Sequence, residues 1–170
     1  MTAKQDKSLT RRITRMALLT AIALTIFLAE AQIPNPIPIP GVKLGLANIV
    51  TLIALYLFGP GTAFAILIPR CMMGAIFGGG ITGLLFSLTG GLLAMSVMSL
   101  SRKWSMLSIY GVSVLGAAAH SVGQILAAMV LMNSVYVGAY LPWLLGVSVF
   151  TGLATGAAGA GVLRVLRGRV

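Results

Sequence analysis

Long apolar runs, each about as long as a helix, fill almost the whole chain and are separated by short polar or Gly/Pro-rich breaks. A membrane-crossing helix needs about 20 apolar residues, and shorter ones are tolerated inside a bundle. The pattern predicts six spans: Met16 to Gln32, Leu44 to Phe58, Thr62 to Phe77, Ile81 to Leu100, Met106 to Met132, and Leu141 to just before Arg164. Gly59-Pro60-Gly61, Gly78-Gly79-Gly80 and Ser101-Arg102-Lys103 end the second, third and fourth. Pro142 suits the first turn of the sixth. The expected fold is all-α, an integral membrane bundle of six transmembrane helices spanning residues 16–164, with basic tails at 1–15 and 165–170.

Composition agrees. The 170 residues are 58% hydrophobic and 8% charged, whereas a soluble domain is roughly a quarter charged. A soluble body of this size could not bury so much apolar side chain, so the bilayer is the solvent.

The formal net charge of +10 could suggest nucleic acid, but the positions of the charges argue against it. Ten of the twelve bases fall in three clusters: Lys4, Lys7, Arg11, Arg12 and Arg15; Arg102 and Lys103; Arg164, Arg167 and Arg169. Apolar runs separate them, the pattern of short cytoplasmic segments flanking membrane helices. Six spans place all three clusters on one side; an odd number would not. The expected location is a bacterial-type cell (inner) membrane, multi-pass, with both termini cytoplasmic and no nucleic-acid partner. A rival reading treats the first span as a secretory signal ending at Ala29-Glu30-Ala31. Cleavage there would leave five spans and break the agreement among the charge clusters, so a retained helix is preferred.

The scarce polar residues limit the chemistry. Asp6 and Glu30 are the two acids, Cys71 the one cysteine and His120 the one histidine. No carboxylate pair exists for acid–base work or for holding Mg²⁺, and neither a cysteine-cluster nor a paired-histidine metal site can form. The expectation is no metal, no cofactor and no catalytic residue. Arg70 lies inside the third span after Pro69, and an ionisable residue at such depth is a functional-site hypothesis by default. The alternative is an Arg bonded to carbonyls freed by Pro69. Glu30 is the carboxylate that could pair with Arg70, and Lys43 competes for it. His120 and Gln124 are four apart and share a helix face. They serve either helix–helix hydrogen bonding or, with Asn48, the cavity that Arg70 enters.

Four prolines between Pro34 and Pro40 make the first loop stiff and extended. Its Ile37, Ile39 and Val42 suit a segment folded back over the bundle as a lid. Glycine and alanine recur four apart along the spans, as close helix packing in lipid requires. In the first span this stripe is Ala17, Ala21, Thr25 and Ala29, which packs internally or receives a partner's helix. Trp104, Trp143, Tyr136 and Tyr140 suit the membrane interfaces.

Two stretches and one residue carry a resemblance: Pro40-Gly41-Val42-Lys43-Leu44-Gly45-Leu46-Ala47-Asn48-Ile49-Val50-Thr51-Leu52, then Arg70, then Leu84-Leu85-Phe86-Ser87-Leu88-Thr89-Gly90-Gly91. Over most of its length the chain resembles the Gx transporter family, catalogued as heptaprenyl diphosphate synthase component I. That family is similar in layout to the substrate-binding S components of energy-coupling factor transporters. The resemblance implies six helices, a first loop capping the substrate, and an Ala-x-x-x-Ala motif, matched by Ala17 and Ala21, that docks a shared membrane subunit served by an ATPase pair. The expected function is a membrane-embedded substrate-binding subunit of a small-molecule uptake transporter. Arg70, Lys43, Asn48, His120, Gln124 and Glu30 would form its ligand site, and the cationic lining suits an anionic or amphipathic ligand. The chain itself carries no Walker lysine motif. The alternative is an accessory membrane subunit of isoprenoid or quinone synthesis. Prenyl elongation holds an allylic diphosphate through Mg²⁺ on clustered aspartates, and a chain with one Asp cannot supply that site. A third reading is a purely structural anchor.

Overall fold

The computed structural model of the chain describes residues 3–32 and 45–167, and among these every regular element is helical. Six α-helices follow in order: α1 (Ala3–Glu30), α2 (Asn48–Phe58), α3 (Pro60–Gly74), α4 (Gly80–Ser101), α5 (Ile109–Leu131) and α6 (Leu141–Arg167). A π-helical turn, Ala75–Gly79, joins α3 to α4, and a 3₁₀ turn, Val135–Tyr140, precedes α6. Five segments are long and apolar enough to cross a membrane, namely Leu9–Glu30, Pro60–Gly78, Gly80–Ser101, Ile109–Leu131 and Val135–Leu166. The sixth, α2, has 11 residues, or roughly 16 Å at 1.5 Å per residue.

The breaks are explained residue by residue. Gly59 has φ +87°, and its N–H closes the end of α2 on the Leu55 carbonyl; Pro60 then opens α3 where a missing N–H costs nothing. Gly80 has φ +57°, a backbone that other residues adopt only under strain. Ser108 caps α5 by accepting the Gly111 N–H at 3.3 Å.

One expectation is corrected at a helix start. The second span is not helical over Gly45 to Ala47: Gly45 has φ +80°, these residues form a turn, and the helix begins at Asn48. The basic stretch before Met16 is helical as well, because α1 runs from Ala3. Residues such as Lys, Arg and Gln are good helix formers although they carry no apolar signal.

Register shows how the helices run. Gly123 of α5 lies against Gly90 of α4, and Gly116 against Met98, so α4 and α5 are antiparallel. Ser121 bonds Ser148 and Ser113 bonds Thr155, both at 2.7 Å, making α5 and α6 antiparallel. Cys71 of α3 meets the Ser87 carbonyl of α4 while Leu67 meets Gly91, again antiparallel. α2 sits inside, packed against α1, α3, α4 and α6, with Val50 through Leu55 all buried. Around it Leu52, Leu55, Ile66, Leu67, Met95, Met98 and Val112 form the main apolar core. Outward-facing Ile81, Val130, Tyr136, Trp143, Trp104 and Phe150 are exposed, as a lipid-facing surface requires.

The small-residue spacing is used as expected on α5 and α6. A methyl group at Gly123 would stand 2.7 Å from the Gly90 Cα, and one at Gly152 2.6 Å from the Val114 Cα. These approaches exist only because the side chains are hydrogen atoms.

Candidate functional site

Five of the six expected ligand residues are described, and all five are buried: Glu30, Asn48, Arg70, His120 and Gln124. Lys43 lies outside the described residues, as do the prolines of the first loop. Glu30 ends α1, Asn48 begins α2, Arg70 is in the second half of α3, and His120 and Gln124 are one turn apart on α5. With the helices alternating in direction, this set lies in the half of the bundle remote from the basic start of α1.

Gly45 joins three of them. Its N–H donates to Glu30 Oε1 at 2.6 Å, so the end of α1 is tied to the start of the α2 segment. A methyl group at Gly45 would stand 3.0 Å from His120 Cδ2 and 3.1 Å from Asn48 Nδ2. The opposite edge of the imidazole faces Gly90, whose notional methyl would lie 2.9 Å from His120 Nδ1 and Cε1. Two glycines, one in the turn before α2 and one in α4, thus leave the slot that the ring occupies. Arg70 is within electrostatic reach of His120, and its guanidinium lies 5.9 Å from the centre of the Phe27 ring. Gly91, next to Gly90, gives room to Arg70 Nη2. Beside Asn48 a small cavity of about 10 Å³ reaches Ser113, Thr151 and Thr155, enough for about one water.

The polar atoms of this cluster are incompletely matched. Arg70 Nε and Nη2 and Gln124 Oε1 are all buried and make no hydrogen bond, whereas His120 has the Gly90 backbone as a partner. Each such group costs about 1–3 kcal/mol, and charged ones more. Arg70 Nε and Nη2 are therefore not spent on carbonyls freed by Pro69, the alternative open from sequence. Gln124 likewise does not complete a helix–helix hydrogen bond through Oε1. The hydroxyl pairs Ser113–Thr155 and Ser121–Ser148 hold α5 to α6 instead.

Sequence reasoning missed Gly45, Gly90 and Phe27. Two of them had a signal: Gly45 lies in the run Lys43-Leu44-Gly45-Leu46, and Gly90 in a glycine pair on an otherwise bulky helix. It also read Arg102 as a side marker alone. Arg102 Nη1 donates to the Leu55 carbonyl near the end of α2, and the guanidinium stacks on Tyr56 at 5.0 Å. The stripe Ala17, Ala21, Thr25 and Ala29 is exposed, while α1 buries Ala23, Phe27 and Glu30. Thr25 spends its hydroxyl on the Ala21 carbonyl at 3.0 Å, which leaves the stripe effectively apolar.

An apolar helical bundle with lipid-type side chains outside and a buried polar cluster inside defines a multi-pass integral membrane protein. Within that class the chain belongs to the heptaprenyl diphosphate synthase component I family, which matches residues 19–162. Comparison with curated proteins and with solved structures returns no match.

Proposed function

We propose that the chain is the substrate-binding subunit of a small-molecule uptake transporter, an S-component-like bundle of six spans with both termini on the cytoplasmic side of a bacterial-type cell membrane. The observation that carries this reading is the set of buried, unpartnered polar atoms on Arg70 and Gln124, beside the buried His120. Desolvated groups held at such cost in one half of a bundle suit a ligand that completes them. In this reading α2 is the second span, short because other helices shield it. The ligand is anionic or amphipathic and lies in the outer half, under the Pro-rich first loop, with Lys43, Asn48 and Glu30 at its rim. The exposed stripe at Ala17 and Ala21 receives a coupling membrane subunit, and an ATPase pair supplies energy. The chain is not an enzyme by itself, since its single Asp stands in the N-terminal segment.

Mass spectrometry of small molecules carried through gentle purification tests the reading. A molecule bound at one per chain supports it. Absence of any bound molecule from material prepared in rich and in minimal medium would sink it.

The family description favours a second reading, an accessory membrane subunit in isoprenoid or quinone synthesis. Co-purification separates the two: an ATPase pair with a coupling membrane protein supports the transporter, and a soluble prenyl synthase supports the accessory subunit.

A further inference from the structure

We infer that the ligand is held through one planar monoanionic group, a carboxylate, seated on the Nε–Nη2 edge of Arg70. The inference rests on the binding-subunit reading above and names the chemistry that site selects. The two unpartnered nitrogens are not an arbitrary pair. Nε–H and one N–H of Nη2 lie side by side along one edge of the guanidinium plane and point the same way. That fork matches the two oxygens of a carboxylate in a bidentate pair. No side chain flanks the group at Gly91, whose backbone lies close to Nη2, and the Phe27 ring centre is 5.9 Å from the guanidinium carbon.

Charge then separates a carboxylate from a diphosphate, which the family description would suggest. Among the described side chains Arg70 is the buried cation and Glu30 the buried anion. The Glu30 carboxylate is already engaged by the Gly45 N–H. One negative charge on the ligand balances Arg70. A diphosphate carries several, and among the described side chains no second buried cation meets the excess, which is costly in a low-dielectric interior.

The test uses the full chain in lipid nanodiscs and three probes with matched branched tails: 4-methylpentanoate, its amide, and isopentenyl diphosphate. Thermal unfolding midpoints are read against probe concentration. The acid raises the midpoint, the amide does not, and the diphosphate acts at least tenfold more weakly than the acid. Arg70→Lys, which keeps the charge and loses the fork, weakens the response to the acid at least tenfold, and Arg70→Gln removes it. The comparison of acid with amide on the unaltered chain stands even where Arg70→Gln does not fold. A diphosphate preferred over the acid, an amide as effective as the acid, an undiminished response in Arg70→Lys, or no response to any probe overturns the inference. Mass spectrometry keeps the two claims apart. A bound molecule without an acid group overturns the carboxylate and leaves the binding-subunit reading standing, whereas no bound molecule together with a flat panel removes both.

Discussion

Gly123→Ala and Gly146→Ala are the same chemical change in the middle of two adjacent helices, and the structure gives them opposite signs. Replacing glycine by alanine inside a helix gains about 0.8–1.0 kcal/mol of helix propensity in either place. At Gly146 the new methyl meets nothing within 4 Å, so the gain is kept and stability rises by about that amount. At Gly123 it would lie 2.7 Å from the Gly90 Cα, 2.7 Å from the Thr89 carbonyl oxygen and 2.9 Å from the Gly90 nitrogen. All three are backbone atoms of α4, which cannot rotate away as a side-chain tip can. Relief requires α5 to move off α4, and overpacking of this kind costs about 1–3 kcal/mol, here toward the upper end. Because the propensity gain is common to both, the difference isolates the overlap at about 2–3 kcal/mol. Reversible unfolding in mixed micelles, read by circular dichroism against denaturing detergent, measures it. Gly123→Ala should be less stable than the parent chain and Gly146→Ala more stable. Two equal shifts would refute the close α4–α5 approach on which the slot for His120 depends.

Arg102→Ala removes the hydrogen bond to the Leu55 carbonyl and the stacking on Tyr56. It should cost about 1–2 kcal/mol and show as faster amide hydrogen exchange confined to the last turn of α2. Ala17→Leu with Ala21→Leu alters exposed positions and should shift chain stability by less than about 0.5 kcal/mol, while dissociating a coupling membrane subunit on size exclusion; a complex that survives both counts against docking there. Gly45→Ala combines a φ of +80° with a methyl 3.0 Å from His120. It should destabilise by about 2–3 kcal/mol and abolish ligand retention, and retention at the parent level would separate the Gly45 turn from the site.

Apolar run length, glycine and proline located the helices, because those signals act locally. Pro60 and Gly59 mark the α2–α3 joint as their stereochemistry demands, and the glycines of α5 and α6 sit at close approaches as their spacing foretold. The start of α2 was hidden, since Leu44 to Ala47 is as apolar as the helix that follows and only a positive φ at Gly45 interrupts it. The helical course of residues 3–15 was hidden for the opposite reason: it is polar on most sides and gives no periodic apolar signal. Arg70, His120 and Gln124 stood out as polar residues in apolar runs. Their grouping depends on how α3 and α5 both lie against α4, which no local spacing encodes. The roles of Gly45 and Gly90 around the imidazole belong to the same class, because each acts on a residue far away in sequence. Arg102 was legible only as one of the clustered bases at a break between apolar runs, so nothing in the sequence called for its role at the end of α2.

The brevity of α2 bears on how the protein is made. Its 11 residues give roughly half the length needed to cross a hydrocarbon core about 30 Å thick. As it leaves the ribosome, such a segment has too little apolar length to partition into lipid by itself. Gly59 alone separates it from α3, a segment that does qualify as a span. The two should therefore enter the bilayer together as a hairpin, with α2 held at the insertion machinery until Pro60–Gly78 has been synthesised. The arrest of a nascent chain truncated between Phe58 and Pro60 outside the lipid phase, and its integration once α3 is complete, would be the biosynthetic signature of a helix that only its neighbours keep in the membrane.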